Sequence, residues 1–211
     1  MAVIAYQYRG ELVDQIHRGH IAVTDHTGRI LWKLGDPERL TFARSSAKPL
    51  QAIPVAESGA LEHYGITPQE LAVICSSHNG EPFHVKAVES ILHKAGLSPD
   101  QLCCGAEYPM YVPAEDALKI AGIPRAPIYC DCSGKHAGML ITAHHFGESL
   151  ENYTALEHPV QQRILSVFAE MCGVETSEVQ LAVDGCGVPV HALPLYRLAQ
   201  GYARMSLPTL F

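Results

Sequence analysis

The run HPVQQRILSVFAEMCGVETSEVQLAVDGCGVP, residues 158–189, changes its hydrophobic period part-way along, and that change decides the fold class. Val160, Ile164, Val167, Phe168 and Met171 recur at helical spacing, and Gly173 ends the pattern. VQLAV (179–183) then reads as a strand entering the glycine-rich turn DGCGVP. A helix followed at once by a strand predicts a mixed α/β or α+β domain.

The flanking sequence repeats that alternation. HIAVTD (20–25) and ILWKL (30–34) read as strands joined through HTGR, with Gly28 suited to a hairpin turn, and the first 36 residues as a whole are strand-like. RSSAKPLQAIPVAESGA (44–60) predicts a helix whose serines cap its start, with Pro49 in the tolerated first turn and Pro54 kinking it. TPQE (67–70) supplies the threonine and glutamate of a capping box. PFHVKAVESILHKAG (82–96) predicts a helix with Val85, Val88, Ile91 and Leu92 on one side and Gly96 at its end. AEDALKIAG (114–122) is a shorter helix, and HALPLYRLAQGYARM (191–205) reads as the last one.

A chain of 211 residues holds one good-sized domain, and 47% hydrophobic against 18% charged residues excludes disorder. A net charge of -7 offers no basic face for nucleic acid or an anionic membrane, so neither is expected as a partner. No apolar run reaches the roughly 18 residues that span a bilayer. The opening MAVIAYQYRGELVD lacks the basic start and apolar core of a signal peptide. Seven cysteines, an odd number without an export signal, are expected as reduced thiols in the cytoplasm.

Polar motifs sit where predicted elements meet. Ser45 and Lys48 stand three apart, which on a helix puts them on one face, where an amine can take the proton of a serine alcohol. Chance supplies Ser-x-x-Lys readily, and taken alone a capping serine beside a surface lysine is the plainer reading. Ser76, Ser77, His78, Asn79 and Glu81 crowd the end of an apolar run. They suit an ammonium, a carboxylate or an oxyanion, and they equally suit a polar turn with Glu81 capping the next helix. In YCDCSGKHAG (129–138), Cys130, Cys132, Lys135 and His136 bring soft donors together, with Cys186 far downstream. From spacing alone, buried free cysteines are the plainer reading. Cys75, Cys103, Cys104 and Cys172 read as structural, and the glycines at 134, 138, 185 and 187 as sites of tight turns or close backbone approach. No phosphate-binding loop, G-x-S-x-G or H-E-x-x-H pattern is present.

Taken in order, RSSAKPLQA, CSSHNGEPFHV, CSGKHAGML and DGCGVPVHALPL resemble successive blocks of the rhizobial-type (class 3) L-asparaginases, with HPVQQRI and LAQGYARM resembling flanking segments. The resemblance runs from about Arg18 to the end of the chain. It implies a fold similar to serine β-lactamases and glutaminases, with helices packed on a mainly antiparallel sheet, and a homodimer. It implies hydrolysis of L-asparagine to aspartate and ammonia by a Ser-Lys activated serine through an acyl-enzyme. Ser45 and Lys48 match one serine-lysine tandem and Ser77 the serine of a second, leaving open which serine attacks. Cys132, Lys135 and Cys186 match a zinc site, which reverses the reading from spacing. His136 and Asp184 match polar residues beside it, and Arg44 matches the residue before the nucleophile. Arg44, His78, Asn79, Glu81, His136 and Asp184 are thereby expected to bind substrate.

Family members are longer, and the tail SLPTLF after Met205 does not resemble their continuation. The expectation is a single domain over 1–211 that lacks the family's C-terminal part, with its sheet incomplete and the second tandem's lysine absent. Rival readings are a truncated, inactive zinc-binding relative, a cysteine amidase using Cys132 and His136, and a β-lactamase-like enzyme. The lack of S-D-N and K-T-G elements counts against the last.

Overall fold

The computed structural model describes residues 1–209. Seven strands and eight α-helices occur among them. The chain runs β1 (Ala2–Arg9), β2 (Leu12–Gly19), β3 (Ile21–Thr24), β4 (Ile30–Leu34) and β5 (Leu40–Phe42) before the first helix. Then follow α1 (Lys48–Glu57), α2 (Ala60–His63), α3 (Pro68–Ile74), α4 (Pro82–Lys94), α5 (Val112–Ile120), α6 (Ser133–His145) and α7 (Pro159–Cys172). It ends with β6 (Gln180–Val183), β7 (Pro189–Pro194) and α8 (Leu195–Met205). The class is mixed α/β, as the change of period predicts, with three small antiparallel sheets in place of the one sheet expected. No described helix is long and apolar enough to cross a membrane.

The chain forms two compact units. One comprises residues 1–43, 168–180 and 191–209, and the other residues 44–167 and 181–190. In the first unit, β1 and β2 form a ribbon closed at Arg9 and Leu12, with Gly10 at a φ of 63° in the two-residue turn. Tyr6, Tyr8, Leu12, Val13 and Ile16 of this ribbon are exposed. β3 pairs with β4, Val23 opposite Trp32. In the turn between them the Asp25 carboxylate accepts from Thr27 Oγ1, Thr27 N–H and Arg29 N–H. The Thr27 hydroxyl does most to hold the Asp25 carboxyl down at about 2. Gly28 must be glycine there: its φ is 88°, and a Cβ would lie 2.6 Å from Gln200 Oε1 of α8.

Residues 191–205 depart from the expected helix. His191–Pro194 belong to β7, with Thr41 opposite Leu193, and the helix begins only at Leu195. Pro194 accounts for the boundary, because a proline disfavours the helical region for the residue before it.

The second unit is built around α6, whose residues from Ser133 to Ala143 are all buried. A helix covered on every side is the central one. α3 and α4 pack on it, and Ile74, Val88, Ile91 and Leu92 share one buried cluster with Met139 and Leu140. Two glycines let α3 approach. A Cβ on Gly134 would lie 2.4 Å from the Val73 carbonyl oxygen, and one on Gly138 would lie 2.7 Å from Ile74 Cγ2. Each glycine costs about 1 kcal/mol in helix propensity, a cost that close packing offsets.

The capping box forms as expected: Glu70 N–H donates to Thr67 Oγ1 and Thr67 N–H to Glu70 Oε2. Lys94 Nζ also reaches Glu70 Oε2 at 2.6 Å. Burial raises the Glu70 carboxyl, but Lys94, Ser90 and Thr67 together hold it at about 2. The serines before α1 do not cap it. Arg44–Ala47 wind as a 3-10 turn, Ala47 takes the cap position, and α1 continues through Pro54.

Candidate active site

Lys48 opens α1 and is 1% exposed, so its amino group demands partners. Its Nζ donates to Ser77 Oγ at 2.7 Å and to the Asp131 carbonyl oxygen at 3.2 Å, and it lies 3.7 Å from Asp131 Oδ2. Ser77 follows α3 and Asp131 precedes α6, so the tight contact at Gly134 fixes both. His78 N–H donates to the same Asp131 carbonyl, tying the two loops together. Burial raises the Asp131 carboxyl, and Lys48 followed by the Ser77 hydroxyl outweighs it, leaving the group below its ordinary value. The serine bonded to Lys48 is therefore Ser77 rather than the expected Ser45.

Ser45 is exposed on the 3-10 turn, and it lines a cavity of about 210 Å³ with Arg44, Glu107, Asp131, Asp184 and Cys186. That is below the roughly 300–1,000 Å³ of drug-sized sites and suits a small molecule. Arg44 has a φ of 49°, unusual for a residue with a side chain. Its Nε lies 2.9 Å from Asp184 Oδ1, so the cavity wall carries one cation beside one anion. Asp184 sits in the turn between β6 and β7, closed by Gly187 N–H to Asp184 O and Asp184 N–H to Val188 O.

His78, Asn79 and Glu81 do not line this cavity. His78 is buried, its Nδ1 accepts from Gly80 N–H, and its Nε2 meets Ser133 Oγ at 2.8 Å. Nδ1 as acceptor makes Nε2–H the donor, so a neutral ring fits both bonds. Burial first, then His84 and Lys48, press its pKa down to about 4. Asn79 is exposed and accepts Tyr111 N–H through its backbone. Glu81 takes the cap position of α4 without a side-chain capping bond.

The soft donors converge. Lys135 Nζ lies 3.2 Å from Cys186 Sγ, Cys132 contacts Cys186, and all three residues are buried. Contact with Cys132, followed by burial, pushes the Cys186 thiol up to about 11. Cys132 is likewise raised, first by Cys130. Two sulfurs and an amine in one buried cradle fit zinc, which would displace their protons. His136 Nδ1 bonds the hydroxyl of the fully buried Tyr153 at 2.7 Å, and that oxygen accepts from Cys103 N–H. Burial, the largest influence on the His136 ring, holds its pKa below the ordinary value.

Asp131, Tyr153 and Ser133 escaped the sequence reading. Asp131 stands in the quoted YCDCSGKHAG, and only its place between two cysteines hinted at a role. A family model described as L-asparaginase II matches residues 5–209 of the chain. No match was found among the curated proteins.

Proposed function

The chain belongs to the L-asparaginase II family, and from that premise we propose that it hydrolyses the side-chain amide of L-asparagine to aspartate and ammonia through an acyl-enzyme. The observation that carries the mechanism is the buried Lys48 amine on a serine hydroxyl at 2.7 Å, braced by Asp131. A serine alcohol attacks an amide only when a base takes its proton, and a lysine in its amine form is such a base.

Ser45 faces the cavity where substrate sits, so it is assigned the attack. Its proton passes to Lys48 directly or through Ser77. Lys48 returns a proton to the departing nitrogen, ammonia leaves, and water cleaves the β-aspartyl ester with Lys48 again as base. A second reading makes Ser77 the attacking oxygen, and the bond it already makes to Lys48 favours it. Asp131 holds the amine in place. Arg44 and Asp184 present complementary charges to the substrate's α-carboxylate and α-ammonium, which replace their mutual ion pair. His78 positions the Ser77 loop through Ser133.

Zinc would be held by Cys132, Lys135 and Cys186, and when bound it supplies a Lewis acid beside the cavity, its charge balanced by the two thiolates. The family's homodimer is proposed as well, supported by the exposed apolar side chains of the β1–β2 ribbon.

The test is ammonia release from asparagine by the chain and by Lys48→Met. We expect turnover in the first and a loss of about 10²–10⁴-fold in kcat in the second. Equal rates would remove Lys48 from the chemistry.

A further inference from the structure

Zinc on Cys132, Lys135 and Cys186 leaves a second group of thiols in the same pocket without a task. Cys104 and Cys130 are buried and line the cavity. The Cys130 thiol donates to the Cys104 carbonyl oxygen at 3.4 Å, and its sulfur accepts from Cys132 N–H at 3.5 Å. Cys130 Sγ also lies 3.7 Å from Asp131 Oδ1. Donor atoms of Cys130, Asp131 and Cys132 all fall within 4.8 Å of one another. Thiols are weak hydrogen-bond partners, so the Cys130 and Cys132 sulfurs gain little from burial as thiols. The same sulfurs as thiolates around a soft cation gain far more, and a neighbouring carboxylate completes a zinc-like donor set.

We propose that Cys130, Asp131 and Cys132 form a second site for a thiophilic divalent cation such as zinc or cadmium. It shares the Cys132 thiolate with the site proposed above. Each thiol that binds releases its proton to water. The site has a consequence for the reaction, which rests on the asparaginase reading. Asp131 is the carboxylate beside Lys48, and a cation that takes it removes the brace of that amine. Zinc in excess therefore inhibits.

Cadmium titration of the full chain tests the site without reference to activity, through ultraviolet sulfur-to-metal absorption and elemental analysis after dialysis. We expect about two equivalents in the wild type and about one in Cys130→Ser. Cys186→Ser, which loses the first site, keeps about one equivalent. The proposal is overturned if Cys130→Ser takes up as much cadmium as the wild type. It is also overturned if Cys186→Ser takes up none, an outcome that leaves the first site and the asparaginase reading standing. Ammonia release under rising zinc reads the consequence: Cys130→Ser tolerates about tenfold more zinc than the wild type, and equal sensitivity overturns the inhibitory role.

Discussion

Lys48 Nζ is held by one serine and one aspartate, and Ser45, three residues earlier, is not among the partners it bonds. Helical spacing points to Ser45, but the 3-10 winding of Arg44–Ala47 sets that serine in the cavity instead. The lysine was legible as a motif. Its carboxylate was not, because nothing in the spacing between residues 48 and 131 encodes a contact made by folding. Asp131→Asn keeps the shape and removes the charge; it should lower kcat by about tenfold, the worth of roughly one partly buried ion pair. Steady-state kinetics check this. His78 gives a prediction in pH. Its folded value near 4 lies below the ordinary 6.5, so the unfolded chain binds the extra proton between those values. Stability is fully present above about pH 6.5 and is lost as pH falls toward 4, by about 3 kcal/mol. Urea denaturation across that range should show the slope, and His78→Gln should flatten it.

At the scale of elements, packing decides where period alone misleads. α4 and α7 were legible because their apolar residues keep one face over three turns and glycines end them. The last segment departs from its expected helix because HALP runs without a break into the apolar pattern of the helix it precedes, and only its pairing with β5 makes it a strand. The Thr67 capping box was readable in full, and Thr67→Ala should cost about 1 kcal/mol in chemical denaturation. Gly134 reverses the usual rule for helices. Alanine in a helix interior normally stabilises by about 1 kcal/mol relative to glycine. Here a Cβ would meet the Val73 carbonyl at 2.4 Å, so Gly134→Ala should destabilise by about 1–3 kcal/mol. The same change spreads α3 from α6 and loosens Ser77 on Lys48, so kcat should fall with stability.

For the whole molecule, composition and charge foretold a mixed globular chain, and four motif blocks in order foretold its family. The division into two compact units was not legible, since each unit draws on separated segments and no linker marks a boundary. The exposed ribbon predicts association: sedimentation should show a dimer that Tyr8→Lys with Ile16→Lys shifts to monomer, and an unshifted dimer would place the interface elsewhere. The central claim is that Ser45, on the cavity beside the Lys48 cluster, carries the acyl group. Acid quenching during turnover of asparagine, followed by peptide mass spectrometry, tests it directly. The account predicts a β-aspartyl group on the peptide containing Ser45, absent in Ser45→Ala. Ammonia released with that group on Cys132, or with no serine modified, would contradict it.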